Sequence, residues 1–292
     1  CKYLIACDGA RSYVRKTFNF DFGGITREKK FYVIDAEIKW NLKLQESLFL
    51  LFNKKSFLAL FRMGKGNKFR VIGDLQDHPA SIANEDVPLK EILDDAKKDS
   101  ALKKFEFKKL NWHAVYKIHT RMADRFSKDN IFLAGDAAHI HSPAGGQGMN
   151  TGMQDAYNLA WKLAFVIKGK APSRILETYR TEREAFAKLL LKSTDKAFNI
   201  LTAENFLVSI FRTKILPLII QFLSRFRSFR KKVFKTVSQT QIRYSSDLVV
   251  ESKQGSVFAG ERMPYFKHKN KNIHDYLRKP KFHLLVVGSN KD

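Results

Sequence analysis

Apolar residues open the chain as a continuous run and then begin to alternate with polar ones. Residues 2–7, Lys-Tyr-Leu-Ile-Ala-Cys, are closed by Asp8-Gly9, the pattern of a short strand buried in a parallel sheet. Cys7 at its end reads as a buried strand thiol, and residues 10–16 allow a turn of helix. From residue 31 the period changes to two. Residues 31–40, 47–52, 56–63 and 68–75 each predict a strand, with Gly64-Lys65-Gly66-Asn67 as a hairpin signal before the last. Residues 31–75 are therefore expected to form an antiparallel sheet. Residues 87–98 predict a helix, acidic early and lysine-rich late, as the helix dipole favours.

The pattern then returns to its opening form. Residues 112–119 predict a strand, and residues 130–134 a second buried strand that ends in Gly135-Asp136. A glycine-rich loop, residues 142–148, leads into a long predicted helix over 149–167, stopped by Gly169 and Pro172. A further helix is expected over 173–191. Residues 205–237 are helical, apolar and basic, with Pro217 as a break. Residues 282–287 predict a fresh apolar strand.

Two of these segments share a design. A buried strand is followed at once by an Asp beside a Gly, in Cys7-Asp8-Gly9 and in Ala134-Gly135-Asp136. Ligands of open α/β sheets bind at the carboxyl ends of strands. An Asp there accepts hydrogen bonds from ribose or ribityl hydroxyls, and a neighbouring Gly lets backbone approach the ligand. Either dipeptide alone is ordinarily just a turn. The second segment carries more, because it runs on through Ser142-Pro143-Ala144-Gly145-Gly146-Gln147-Gly148-Met149-Asn150. Its glycines bare the backbone N–H groups that open a helix, a place that attracts negative charge by about 0.3–1 kcal/mol when exposed. Gly146, Gly148 and Gly152 do not form a dinucleotide fingerprint, since their spacing is one residue too long and the loop stands too far from its strand.

Composition narrows the classes. The 292 residues carry 44% hydrophobic and 13% aromatic side chains, a globular content. Two cysteines give no disulfide framework, which fits a reducing, cytoplasmic compartment. The formal charge of +24 comes from lysines spread along the chain, without zinc-finger spacing or an RNA-binding signature, so nucleic acid is not the expected partner. His139 and His141 lack further ligands for a metal site, and His113 and His119 read as structural. The apolar run at 215–223 is too short to span a membrane. With the basic residues 225–235 it reads as helices packed beside the sheet, or as a peripheral contact with an anionic membrane.

Asp8-Gly9-Ala10-Arg11-Ser12, with Val14 and Arg15, resembles the Asp-Gly motif of class A flavoprotein aromatic hydroxylases. Residues 130–139, Asn-Ile-Phe-Leu-Ala-Gly-Asp-Ala-Ala-His, with Pro143 and the run Asn158-Leu-Ala-Trp-Lys-Leu163, resemble their Gly-Asp motif. Gly260-Glu261-Arg262-Met263-Pro264, residues 274–277 and residues 282–285 are similar to the linker and thioredoxin-like start of the phenol-hydroxylase-like branch.

The resemblance covers essentially the whole chain. It implies an α/β fold of the para-hydroxybenzoate-hydroxylase type. A partial, Rossmann-like FAD-binding domain (residues 1–20 and 111–190) would hold an inserted antiparallel-sheet substrate domain (21–110). A helical segment (191–245) and an incomplete thioredoxin-like domain (246–292) would follow. It implies FAD as cofactor, NADH or NADPH as co-substrate, and an aromatic substrate hydroxylated with O2. Asp136 would bind the ribityl chain. Gly145, Gly146, Gly148, Met149 and Asn150 would present backbone to the isoalloxazine, Gly135 would belong to the cofactor site, and Pro143 would lie near the reacting flavin edge. Asp8 and Gly9 would touch the cofactor and Arg15 would position their loop. Family members begin with a strand–GxGxxG–helix unit that cradles the pyrophosphate, and no such motif precedes Asp8. A complementing N-terminal polypeptide is therefore an expected partner. A non-catalytic remnant, or one half of a split flavoenzyme, is the alternative.

Overall fold

A computed structural model describes residues 1–40, 48–52, 57–64, 66–75, 87–98, 105–143, 145–203, 205–246, 248–250, 253–254, 257–268, 270–279 and 281–285. In chain order its main strands are β1 (Leu4–Ala6), β2 (Phe22–Trp40), β3 (Leu48–Phe52), β4 (Phe57–Arg62), β5 (Lys68–Asp74), β6 (Phe105–Ala123), β7 (Ser127–Lys128), β8 (Ile131–Leu133) and β9 (His139–Ile140). The main helices are α1 (Tyr13–Thr17), α2 (Leu89–Lys98), α3 (Gly148–Ile167), α4 (Glu177–Thr202), α5 (Phe206–Ile210), α6 (Leu216–Leu223) and α7 (Arg227–Val237).

Alternation builds the larger sheet, ordered β3-β4-β5-β2-β6-β9 and antiparallel throughout. Along β2, Tyr32, Ile34, Ala36 and Ile38 point to one face. They meet Leu58 and Leu60 of β4 and Phe69 and Val71 of β5, under Ile92 of α2. On the opposite face Phe31, Phe57 and Ile118 pack on Phe198 of α4. β2 and β6 are far longer than the sequence pattern suggests, each 19 residues, and pair from Phe22↔Ala123 to Trp40↔Phe105 with three register shifts. Residues 22–30 are glycine-rich and charged, so their own propensity hides the strand; pairing with β6 imposes it. Gly24 at φ +143 shows the cost of that pairing, because a Cβ there would collide with the Thr120 carbonyl oxygen of β6. Gly24→Ala should lose about 1–3 kcal/mol in urea unfolding. An unchanged midpoint would show that the strand crossing is loose.

The smaller sheet, β1-β8-β7, pairs β1 parallel to β8 with Leu4↔Ile131 and Ala6↔Leu133 in register. Phe132, Leu133, Ala137, Leu159, Leu163, Tyr179 and Ala187 form a core between this sheet, α3 and α4. The Tyr179 hydroxyl donates to the Leu133 carbonyl at 2.6 Å, fixing α4 to the sheet.

Four sequence expectations change. Cys7 is exposed, not buried, because β1 is an edge strand and the chain turns away at that residue. The helix expected over 173–191 continues to Thr202, since no breaker interrupts its period. Pro217 does not break its helix. The turn before it widens to π geometry over Phe211–Ile215, with Leu216 N–H reaching the Phe211 carbonyl, and this accommodates the proline ring at the start of α6. The helical stretch Phe206–Leu223 is thus continuous. It is 18 residues with mean hydropathy 1.7, long and apolar enough to cross a membrane by length and composition, and 11% of it is buried. The strand expected over 282–287 does not form across residues 282–285, which pair with no strand among the described residues; 286–287 lie outside them. Instead Phe282 packs edge-on against Phe165 and Trp161 of α3.

Candidate functional site

Because β1 and β8 are parallel neighbours, the two aspartate turns leave the same end of one sheet. In the first, the Asp8 carboxylate accepts from the backbone N–H groups of Tyr13 (2.8 Å) and Val14 (3.2 Å), so it caps α1. Its slight burial would raise its pKa, but these bonds and the Ser12 hydroxyl hold the carboxyl below its ordinary value. Gly9 takes φ +80 at the turn. Arg15 is buried, with its guanidinium 3.7 Å from the Phe22 ring centre. It donates to the Ala10 carbonyl at 2.8 Å and the Ala137 carbonyl at 2.9 Å, which ties the two turns together.

In the second turn Asp136 is exposed. Its carboxylate has no hydrogen bond or ion pair among the described residues, so its oxygens face the cleft as free acceptors. The loop beyond it is fastened from several sides. Ser142 Oγ donates to the Thr194 carbonyl of α4 at 3.2 Å. Gln147 Nε2 donates to the carbonyls of Gly145 (2.7 Å) and Val237 (3.1 Å). Gly145 and Gly146 adopt φ +85 and +63, a left-handed path that suits glycine. A Cβ at Gly146 would meet nothing within 4 Å, and one at Gly148 would touch only the His141 ring at 3.7 Å. These glycines therefore leave open the space in front of the first turn of α3, whose leading N–H groups lack helical acceptors.

That space is a cleft of about 640 Å³ between the loop and the large sheet. Gly135, Asp136, Pro143, Gly146, Gly148 and Met149 line it, facing Tyr116, Lys117, Ile118 and His119 of β6. Gly145 and Asn150 flank it, while Asp8, Gly9 and Arg15 lie outside its lining. His141 Nδ1–H donates to the Ser142 carbonyl at 2.8 Å, and burial lowers its pKa, which favours the neutral imidazole. Among the described residues no group of three His, Cys, Asp or Glu side chains is placed to hold a metal ion.

Beneath the cleft lies a buried polar network that sequence reasoning missed. Asp155 of α3 accepts from Gly135 N–H (3.1 Å), His139 Nε2 (2.8 Å) and Arg183 Nε (2.6 Å). Burial would raise its pKa, but the His139 hydrogen bond and the Arg183 charge outweigh burial and hold it low. Two helical turns on, Lys162 Nζ bonds Glu182 (2.7 Å) and Asn158 (2.8 Å), all buried. The signal was present: Thr151, Asp155, Asn158 and Lys162 recur on one face of an otherwise apolar helix. Gly152 completes the support, since a Cβ on it would lie 3.4 Å from Gly135 Cα, so α3 and the Gly-Asp turn pack backbone to backbone.

Known proteins resemble this chain in sequence and in fold. Over 303 aligned residues the chain is 29% identical to a phenol 2-monooxygenase of Aspergillus fumigatus, covering 98% of this chain and 49% of that protein. It is 33% identical over 206 residues to a pentachlorophenol 4-monooxygenase of Sphingobium chlorophenolicum, covering 68% of this chain and 37% of that protein. Among solved structures, the OxyS anhydrotetracycline hydroxylase from Streptomyces rimosus superposes with a TM-score of 0.69 at 25% identity, over 94% of this chain and 53% of its own. The aromatic hydroxylase CabE of angucycline biosynthesis gives 0.69 at 27% identity, over 90% of this chain and 50% of its own. The chain thus spans about half the length, or less, of these relatives. The FAD binding domain model matches residues 1–194, two thirds of the sequence, and the chain belongs to that family.

Proposed function

We propose that this chain forms the flavin-edge and substrate-facing part of an FAD- and NAD(P)H-dependent monooxygenase that hydroxylates a phenol-like aromatic ring. The observation that carries this reading is the cleft itself. Bare glycine backbone and the start of α3 form one wall, a free carboxylate stands at its end, and β6 closes the other side. These residues fit a flat, polar ring system with a hydroxylated side chain. Bound FAD supplies the redox chemistry, accepting hydride from a nicotinamide and activating O2.

The chain's own groups bind and orient. Asp136 accepts hydrogen bonds from ribityl hydroxyls. The N–H groups of Gly148, Met149 and Asn150 favour negative charge at the ring edge against them, by up to about 2 kcal/mol where partly buried. Pro143 stiffens the loop beside the reacting edge. Tyr116, Ile118 and His119 cover the aromatic substrate and exclude water. Asp8 and Arg15 act one step removed, capping α1 and joining the two turns. β1 is an edge strand of the smaller sheet. A segment bearing the strand–glycine loop–helix unit, in the same polypeptide or another, would pair with it and complete the pyrophosphate site.

Asp136→Ala should weaken FAD binding by about 1.5–3 kcal/mol, the worth of hydrogen bonds to a charged acceptor. Calorimetric titration of FAD, with the pyrophosphate-binding segment supplied, reads this directly. Unchanged affinity would remove Asp136 from the site.

A further inference from the structure

An apolar, basic face is left over once the cleft is accounted for. α6 and α7 bury none of their residues. In the stretch that contains α6, Phe206 is 71%, Leu218 66% and Phe222 57% exposed, and Phe234 of α7 is 68% exposed. Residues 206–237 hold eight Lys and Arg residues and no Asp or Glu. Arg227, Arg230 and Lys231 line a groove of about 670 Å³ beside Phe234. On the other flank of α7, Lys231, Lys235 and Arg262 line a second groove of about 910 Å³. A helix that packs in a soluble core buries an apolar stripe; here the apolar side chains stand outward beside cations.

We propose that α6 and α7 dock this chain on an anionic lipid surface. Apolar side chains of α6 enter the boundary between headgroups and acyl chains, while Arg227, Arg230, Lys231 and Lys235 meet lipid phosphates and carboxylates. The charge argues against a second copy as the occupant, because the same face, from which the buried Arg212 is excluded, would bring seven cations against seven more. The face is also joined to the cleft: Gln147, which lines it, holds the last carbonyl of α7 at Val237. A docked α7 therefore sets the cleft beside the membrane, where apolar aromatic compounds concentrate.

The test is cosedimentation of the full chain with vesicles of phosphatidylcholine alone or with one third phosphatidylserine, at low and high salt. Binding to the serine-containing vesicles is expected, falling with salt. The combined Arg227→Gln, Arg230→Gln, Lys231→Gln and Lys235→Gln variant should bind on the order of 1000-fold more weakly. Removing charge elsewhere, by Lys188→Gln, Lys192→Gln and Lys196→Gln on exposed sites of α4, should change binding less than about 3-fold. Leu218→Ser with Phe222→Ser should weaken binding even at low salt, with circular dichroism confirming the fold. Equal losses from the α4 variant, or no loss from the apolar pair, would overturn the proposal in favour of unspecific attraction to a basic protein. Vesicle-independent dimerisation, lost in the apolar pair, would overturn it in favour of a self-interface.

Discussion

Asp155→Ala is expected to unfold the half of the chain built on β1, β8, α3 and α4 at lower denaturant, with a loss of about 3–5 kcal/mol. The side chain of Arg183 is fully buried, and the Asp155 carboxylate is its counter-charge. Without it the guanidinium keeps bonds to the Thr151 carbonyl (3.3 Å) and the Tyr244 hydroxyl (3.1 Å), but no negative partner among the described residues. His139 and the Gly135 N–H lose their acceptor in the same step. The destabilisation is therefore far above that of a surface ion pair, worth about 0–1 kcal/mol. Urea unfolding followed by circular dichroism measures it, and a loss under about 1 kcal/mol would mean that the network relaxes or takes in water. The pH dependence follows from the depressed pKa. Asp155 contributes its full stability above its unfolded-state pKa and loses it as pH falls through the lower folded-state value. Asp155→Asn should accordingly flatten the acid limb of the stability profile while lowering its plateau.

Gly148→Val should abolish flavin binding while leaving the fold in place. Gly148 has ordinary backbone angles, and a Cβ there meets only the His141 ring at contact distance, so no backbone strain opposes the change. The two added methyl groups of valine would then stand in the cleft, across the wall where a planar ring must lie against bare N–H groups. Loss of close contact with the first turn of α3 costs both packing and the interaction with the helix dipole, so binding should weaken by at least about 100-fold. Ultrafiltration followed by absorbance of retained flavin reads the effect, with a thermal melt as control for folding. A variant that keeps its yellow colour would make the loop a linker, not a cofactor wall.

Much of this was legible because the physics is local. The period-two pattern through Tyr32, Ile34, Ala36 and Ile38 marks the sheet, and glycines at 145, 146 and 148 mark a loop stripped of side chains. What stayed hidden depends on partners distant in sequence. The glycine-rich and charged first half of β2 is a strand only because β6 lies beside it. Asp155 looks like any helical acid until Arg183, 28 residues on, folds over it. Cys7 ends an apolar run yet is exposed, since burial of a strand depends on how many neighbours it has. Asp8 and Asp136 look alike in sequence, but local amides occupy the first and leave the second free. Pro217 reads as a break, and only the π turn ahead of it shows how the helix continues.

In the proposed reaction the cleft between β6 and the start of α3 is where an aromatic ring is hydroxylated. Mass spectrometry of products made under isotopically heavy O2 tests it most directly. The chain, joined or mixed with the pyrophosphate-binding segment, is given FAD, NAD(P)H and a panel of phenols. The expected product carries one heavy oxygen atom on the ring, and Gly148→Val removes it. NAD(P)H oxidation by a flavin-loaded protein that leaves every phenol unlabelled, or labelling that persists in Gly148→Val, would contradict the account.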